Sequence, residues 1–203
     1  MIPKKKSEEK NIHETKLKIL DTAEKLFALY GFEATSIRNI INDAGLSVAL
    51  VNYHFGSKEA LIIAVLNRIL IPLEQERLQE LTLIKKQYPI PPIEAIMRAF
   101  INPFFKLVDH PYYLALIGRS FFELPLSDSS AFSTELLQTQ DQFEKILLTM
   151  IPDINQDNLH FKLTCILGMI RHLLALSKNN TLNNIEQIKS QLIQYAVAIL
   201  ITK

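Results

Sequence analysis

Apolar side chains recur every three to four residues along most of this chain, and no alternating apolar–polar run of strand length interrupts them. Such a period marks amphipathic helices. The pattern therefore predicts an all-α fold, a three-helix head followed by a helical body, with about nine helices in all. A first helix is expected from about Glu14 to Tyr30, with Leu17, Leu20, Ala23, Leu26, Phe27 and Tyr30 on one face. Gly31 should stop it, and Phe32 should pack back against it. Ile37, Ile40, Ile41 and Ala44 give the next short helix its apolar side; Gly45 suits the left-handed residue that ends such a helix. Ser47 is placed to cap a further short helix running through Phe55, Gly56 to end it, and Ser57 to cap the next.

Two short helices about a glycine-containing turn of three to four residues form a helix-turn-helix. In that unit the second helix enters the DNA major groove. Thr35 to Lys58 is thus read as the stretch that meets DNA. Thr35 is expected to cap its first helix, while Leu46, Leu50, Val51 and Phe55 should hold its second helix from below.

Downstream, the fourth helix begins after Ser57 and carries Leu61, Ile62, Val65, Leu66, Ile69 and Leu70 before Pro72. A second pattern, Leu73, Arg77, Leu78, Leu81 and Ile84, continues to Tyr88, so a proline-kinked connector is expected. Five further helical stretches follow, over 93–108, 112–123, 130–151, 156–178 and 182–201. Breakers divide them at Asp109-His110-Pro111, at Leu124 to Asp128, at Pro152-Asp153 and at Asn179-Asn180-Thr181. Pro103 lies inside the first of the five. Residues 1–58 form the expected DNA-binding domain, with 1–11 as a flexible basic tail, and residues 59–203 an effector-binding and dimerisation domain.

Composition narrows the function. The 203 residues are 48% apolar and 21% charged, which suits a globular chain. The formal charge is only +1, but residues 1–58 hold nine basic and seven acidic side chains, leaving the remainder slightly acidic. That asymmetry permits nucleic-acid binding without requiring it. Cys165 is the single cysteine, so no intrachain disulfide can form. There is no glycine-rich phosphate loop, no nucleophile elbow, and no His/Cys/Asp/Glu cluster at metal spacing. No enzyme activity, metal or cofactor is expected. The start MIPKKKSEEK lacks the apolar core of a signal peptide, and no run is long enough to span a bilayer. A cytoplasmic protein is expected, with no membrane role.

The run Ile19 to Ile40, then Ala44-Gly45-Leu46-Ser47, Tyr53-His54-Phe55 and Ser57-Lys58-Glu59-Ala60-Leu61, resembles the TetR family of bacterial transcription regulators. The resemblance covers about the first third of the chain. It implies a homodimer built through the last two helices, an effector pocket in the body, and release of DNA when an effector binds, most often as relief of repression. It also implies DNA contacts by Thr35, Ser36, Tyr53, His54 and Lys58 on the phosphate side, with Ser47 at the start of the reading helix. Arg38, Val48, Ala49 and Asn52 would face base edges, where Arg can pair with guanine, Asn with adenine, and Val or Ala with a thymine methyl. The family commonly has an aromatic residue where this chain has Asn52, so its operator, a palindrome by the same resemblance, is its own.

The body carries Met97, Phe100, Phe104, Phe105, Tyr112, Tyr113, Phe121, Phe122, Phe143, Phe161, Cys165 and Met169. These either fill a core or line a pocket for a small hydrophobic effector. Arg119, and Arg171-His172, stand within apolar runs; they are read as effector contacts or, for Arg119, as a partner for Glu123, and for Arg171 or His172 as residues of the surface or the dimer seam. Phe104, Tyr112, Arg119, Phe122, Cys165, Met169 and His172 are the ligand candidates. Leu159, Leu163, Ile166, Ile170 and Leu174 form one stripe and Ile185, Ile188, Leu192, Ala196 and Ile199 another. Either stripe is core or dimer surface. The rival to an effector-controlled regulator is a DNA-binding regulator or scaffold governed by a protein partner.

Overall fold

A computed structural model describes residues 3–123, 134–177 and 184–202. Nine α-helices lie among them: α1 Pro3–Tyr30, α2 Ile37–Ala44, α3 Val48–Phe55, α4 Lys58–Gln87, α5 Ile93–Phe105, α6 Tyr113–Glu123, α7 Thr134–Met150, α8 Gln156–Ser177 and α9 Ile185–Ile201. No strand occurs among the described residues. No described helix is long and apolar enough to cross a membrane.

The helix starts depart from expectation at one place. α1 begins at Pro3, so the segment read as a flexible tail is helical. Proline at the first helical position sacrifices no hydrogen bond, and the Lys/Glu-rich stretch that follows contains good helix formers and no breaker before Gly31. Pro72 does not split α4, which runs through it for 30 residues. Pro103 likewise sits inside α5, and a 3-10 turn over Lys106–Asp109 continues that helix. The breakers expected at Leu124 to Asp128 and at Asn179 to Thr181 fall outside the described residues.

The chain forms two compact units, Met1–Ile69 with Ala115–Ala131, and Leu70–Leu114 with Phe132–Lys203. In the first, α1 packs on α2 and α3. Ile19, Leu20, Ala23, Phe27, Phe32, Ile40, Ile41, Ala44 and Val51 are buried. Phe27 and Phe32 meet edge to face at 5.4 Å, which is the expected return of the chain after Gly31. The buried side of α1 is rotated from the expected one, because Ile19 is enclosed whereas Leu17 and Tyr30 are exposed.

In the second unit, α5 is the central helix and packs on α7, α8 and α9. Its Ile96, Met97, Phe100, Ile101 and Phe105 join Phe143 and Leu147 of α7 in one core. Leu159, Leu163, Ile166, Ile170 and Leu174 of α8 are all buried in that core, as are Leu192 and Ala196 of α9. The α8 stripe is therefore intrachain packing.

Candidate nucleic-acid interface

The local signals between Gly31 and Glu59 act as their residue types require. Gly31, Gly45 and Gly56 all have positive φ. At the end of α2 the Gly45 and Leu46 amides turn back on Ile41 and Asn42 carbonyls, closing the helix as a left-handed cap does. Ser57 accepts from the Ala60 amide at 3.1 Å and so caps α4. The cap of α2 is Ser36, one residue beyond the expected Thr35. The Asn39 amide donates to Ser36 Oγ at 3.2 Å, and the Ser36 amide donates to Asn39 Oδ1 at 2.9 Å. Asparagine here fills the reciprocal place of a capping box.

Thr35 has a different task. It is 2% exposed, and its hydroxyl donates to the carbonyls of Gly31 (2.7 Å) and Leu26 (3.3 Å). The turn between α1 and α2 is held by this internal pair, which leaves the side chain committed inside.

α3 rests on Val51, its one buried residue, with Leu50, His54 and Phe55 half-buried around it. Leu46 is half-buried as well. Val48, Ala49, Asn52 and Tyr53 are exposed and share the opposite side, and Tyr53 is 71% exposed with its ring against His54. Ser47 occupies the cap position with extended backbone, yet its side chain makes no capping hydrogen bond. Its hydroxyl and the first amides of α3 thus stand at the exposed start of the helix. Arg38 and Ser36 are exposed on α2. The Lys58 ammonium donates to the Glu33 carbonyl at 3.2 Å, which stations it beside the turn leading into α2.

A second group of residues steadies this head. Lys25 pairs with Asp43 at 3.4 Å, joining α1 to α2; Arg68 pairs with Asp21 at 2.8 Å, joining α4 to α1. Arg119 and Glu123, both in the first unit, bond at 2.7 Å on α6. Glu123 also accepts the Phe32 amide at 2.6 Å, and Arg119 reaches the Leu29 carbonyl at 3.4 Å. A Cβ built on Gly31 would lie 2.7 Å from Arg119 Nη1 and 3.0 Å from Glu123 Oε2, so both side-chain tips would have to shift, and at φ +95° the backbone itself favours glycine. Burial pushes the Glu123 carboxyl upward, but the bond from Arg119, the Phe32 amide, the Arg119 charge and the Glu33 amide together hold it below its usual value. Their contact lies 90 residues away along the chain, and no local pattern announces it.

The ligand candidates are not one constellation. Arg119 belongs to the first unit and is engaged with Glu123 and α1. Phe122 lies within α6, where its side chain is outside the described residues. Of the candidates in the second unit, Tyr112 and Met169 are half-buried, and Cys165 and His172 are exposed on α8. Phe104 is half-buried on α5 and packs toward Phe100. A cleft of about 420 Å³ in the second unit is lined by none of them; Lys106, Lys189, Glu76, Glu80 and Glu186 give it charges of both signs.

The sequence reading missed a charged pair buried in this unit. Glu74 and Arg77 of α4 are 1% and 2% exposed and pair at 2.7 Å. The signal was present: Arg77 falls on the apolar stripe between Leu73 and Leu81, where a charge is out of place.

The first unit is thus a helix-turn-helix head that presents one exposed face of a short helix. Residues 19–65 match the sequence model of the bacterial regulatory proteins of the tetR family. Over 53 residues, 26% of this chain, it is 42% identical to the uncharacterized HTH-type transcriptional regulator YerO of Bacillus subtilis (strain 168), though it spans only 18% of that protein. A TetR family transcription regulator from Marinobacter aquaeolei VT8 superposes with a TM-score of 0.66 at 16% identity, covering 94% of this chain and 97% of that one. NalD of Pseudomonas aeruginosa, the secondary repressor of the MexAB-OprM multidrug efflux pump, gives 0.64 at 18% identity over 96% and 99%. The head thus matches the sequence model of the tetR family over residues 19–65, and the chain has the fold of solved TetR regulators.

Proposed function

We propose that this chain is a DNA-binding transcriptional regulator that holds a palindromic operator as a homodimer and represses until a small hydrophobic effector releases it. Residues 1–58 read DNA, and 59–203 sense and pair. One observation carries the reading: α3 buries Val51 and turns Val48, Ala49, Asn52 and Tyr53 outward together. A helix supported on one side and presenting short base-sized side chains on the other suits the major groove. Asn52 and Arg38 are the base readers; Ser36, Ser47, Tyr53, His54 and Lys58 meet phosphates; Thr35 positions the turn from within. Repression is supported by the fold shared with NalD.

The homodimer rests on the outer side of α8 and α9. Phe161 is 66% exposed and Tyr195 60%, and Cys165, Gly168 and His172 continue the Phe161 face of α8. Large apolar groups left in water on two adjoining helices favour a partner surface. Cys165 and His172 then belong to the subunit seam.

Selection of bound fragments from a random DNA pool should return a palindrome whose half-sites lie about one helical turn, 34–36 Å, apart. Screening small molecules against that complex should find compounds that dissociate it. Salt-sensitive binding without sequence preference would instead mark a scaffold. A complex released only by a protein partner would remove the effector.

A further inference from the structure

The guanidinium of Arg77 is enclosed yet only partly used. Its Nη1 donates to both oxygens of Glu74 at 2.7 Å each, an end-on contact that consumes one nitrogen. Nε and Nη2 are buried and have no hydrogen-bond partner among the described residues. Those two nitrogens form the side-on edge of a guanidinium, the edge whose parallel N–H groups match the two oxygens of a carboxylate. Leaving such donors unmet in a dry interior is costly, and buried polar groups are rarely left so without a functional reason.

The surroundings are aromatic. The guanidinium carbon lies 4.1 Å from the ring centre of Phe100, 5.0 Å from Phe143 and 5.2 Å from Phe104. Phe100 and Phe143 are fully buried and meet edge to face at 5.1 Å, so they form a fixed wall. Phe104 is half-buried and is the ring that solvent reaches. All five residues belong to the second unit.

We infer that the side-on edge of Arg77 is the anchor for a flat, largely apolar carboxylic acid, whose ring stacks among Phe100, Phe104 and Phe143. The inference rests on the effector reading above and names the class of effector. Phe104 swings outward to admit the acid, whose carboxylate takes Nε and Nη2 while Nη1 keeps Glu74. Burial drives the Glu74 carboxyl upward, against the charge and bonds of Arg77 and a bond from Thr139. Burial thus weakens the hold of the Glu74 charge on the guanidinium, whose Nε and Nη2 stay open to an incoming anion. Burial lowers Arg77 as well, but a guanidinium lies too far above neutrality to lose its proton.

The test uses the full chain without DNA, titrated calorimetrically with benzoate, 3-phenylpropanoate and naphthalene-2-carboxylate, each against its primary amide. At least one acid is expected to bind about tenfold or more tightly than its amide, the scale of one hydrogen-bonded charge pair. The double variant Glu74→Gln/Arg77→Met, which leaves no unpaired buried charge, should retain its helical circular dichroism and bind acid and amide alike. The inference is overturned if none of the acids binds, if amides bind as tightly, or if the folded double variant still prefers the acid. Operator release separates it from the effector reading. Neutral compounds that dissociate the DNA complex, with no acid binding, would sink the acid class alone; an acid bound through Arg77 that leaves the complex intact would sink its role as effector.

Discussion

Each of the two units contains an arginine–glutamate pair at helical spacing, and the two behave in opposite ways. Arg119–Glu123, near the surface of the first unit, spends its spare donors and acceptors on the backbone around Gly31. Glu74–Arg77, sealed in the second, spends its charge on itself and leaves two nitrogens unmet. Solvent explains the contrast. At a surface, water serves whatever the pair does not, and the pair is free to act as a fastener. In a dry core every unmet donor is a standing cost, so the pair is either a defect or a site.

The comparison can be broken most sharply at Arg77. Arg77→Ala strands a buried carboxylate and should destabilise the chain by about 3–5 kcal/mol, read by urea unfolding. The double variant Glu74→Gln/Arg77→Met should recover most of that loss, because it strands nothing. A single variant as stable as wild type would show that the pair is solvated. On the head, a change of similar size in side chain should leave stability alone. Asn52→Ala should shift unfolding by less than about 0.5 kcal/mol. It should nonetheless lower discrimination at one base pair by about 1–3 kcal/mol, measured with a set of operator variants. Equal loss across all variants would turn Asn52 into a phosphate contact.

Smaller effects sharpen the contrast between the pairs. Glu123→Gln keeps an acceptor for the Phe32 amide but removes its charge; a cost of about 1 kcal/mol is expected, reduced by solvent exposure. The two carboxylates should also tilt stability against pH in opposite directions. Glu74 is raised above its usual 4.5, so between 4.5 and its folded value the native chain holds a proton that the unfolded chain has released. Stability therefore falls as pH rises through that window. Glu123 is held below 4.5, and its contribution, present above that value, is lost as pH falls through its folded value. Unfolding measured from pH 3 to 7, on the order of the range that spans both windows, should lose the first slope in Glu74→Gln and the second in Glu123→Gln.

The head was legible because its signals are local. Gly45, Ser57 and the Ile37–Ala44 spacing each fix a turn or a face through neighbours within four residues, and the structure follows them. The cap at Ser36 rather than Thr35 was a choice between adjacent hydroxyls, decided by Asn39 three residues on and by the carbonyls that Thr35 reaches from inside. The body was legible as helices only. Leu159 to Leu174 read equally well as core or as subunit surface, since a stripe states that something covers it and not what. Arg119 read either as a ligand contact or as the partner of Glu123, since a charge in an apolar run needs a partner; the pair with Glu123 forms, while the further bonds to Leu29 and Phe32 are remote in sequence. Arg77 carried the same signal on a single stripe and was passed over. Side chains that act through distant packing leave a local anomaly but no address.

The crowding at Gly31 has a consequence for the history of the sequence. A methyl group there would displace the tips of Arg119 and Glu123 and meet a left-handed backbone, so exchange at position 31 is opposed twice while those two remain long and charged. Lineages that keep the pair are expected to keep the glycine. Three positions spread over about ninety residues should then vary together rather than singly.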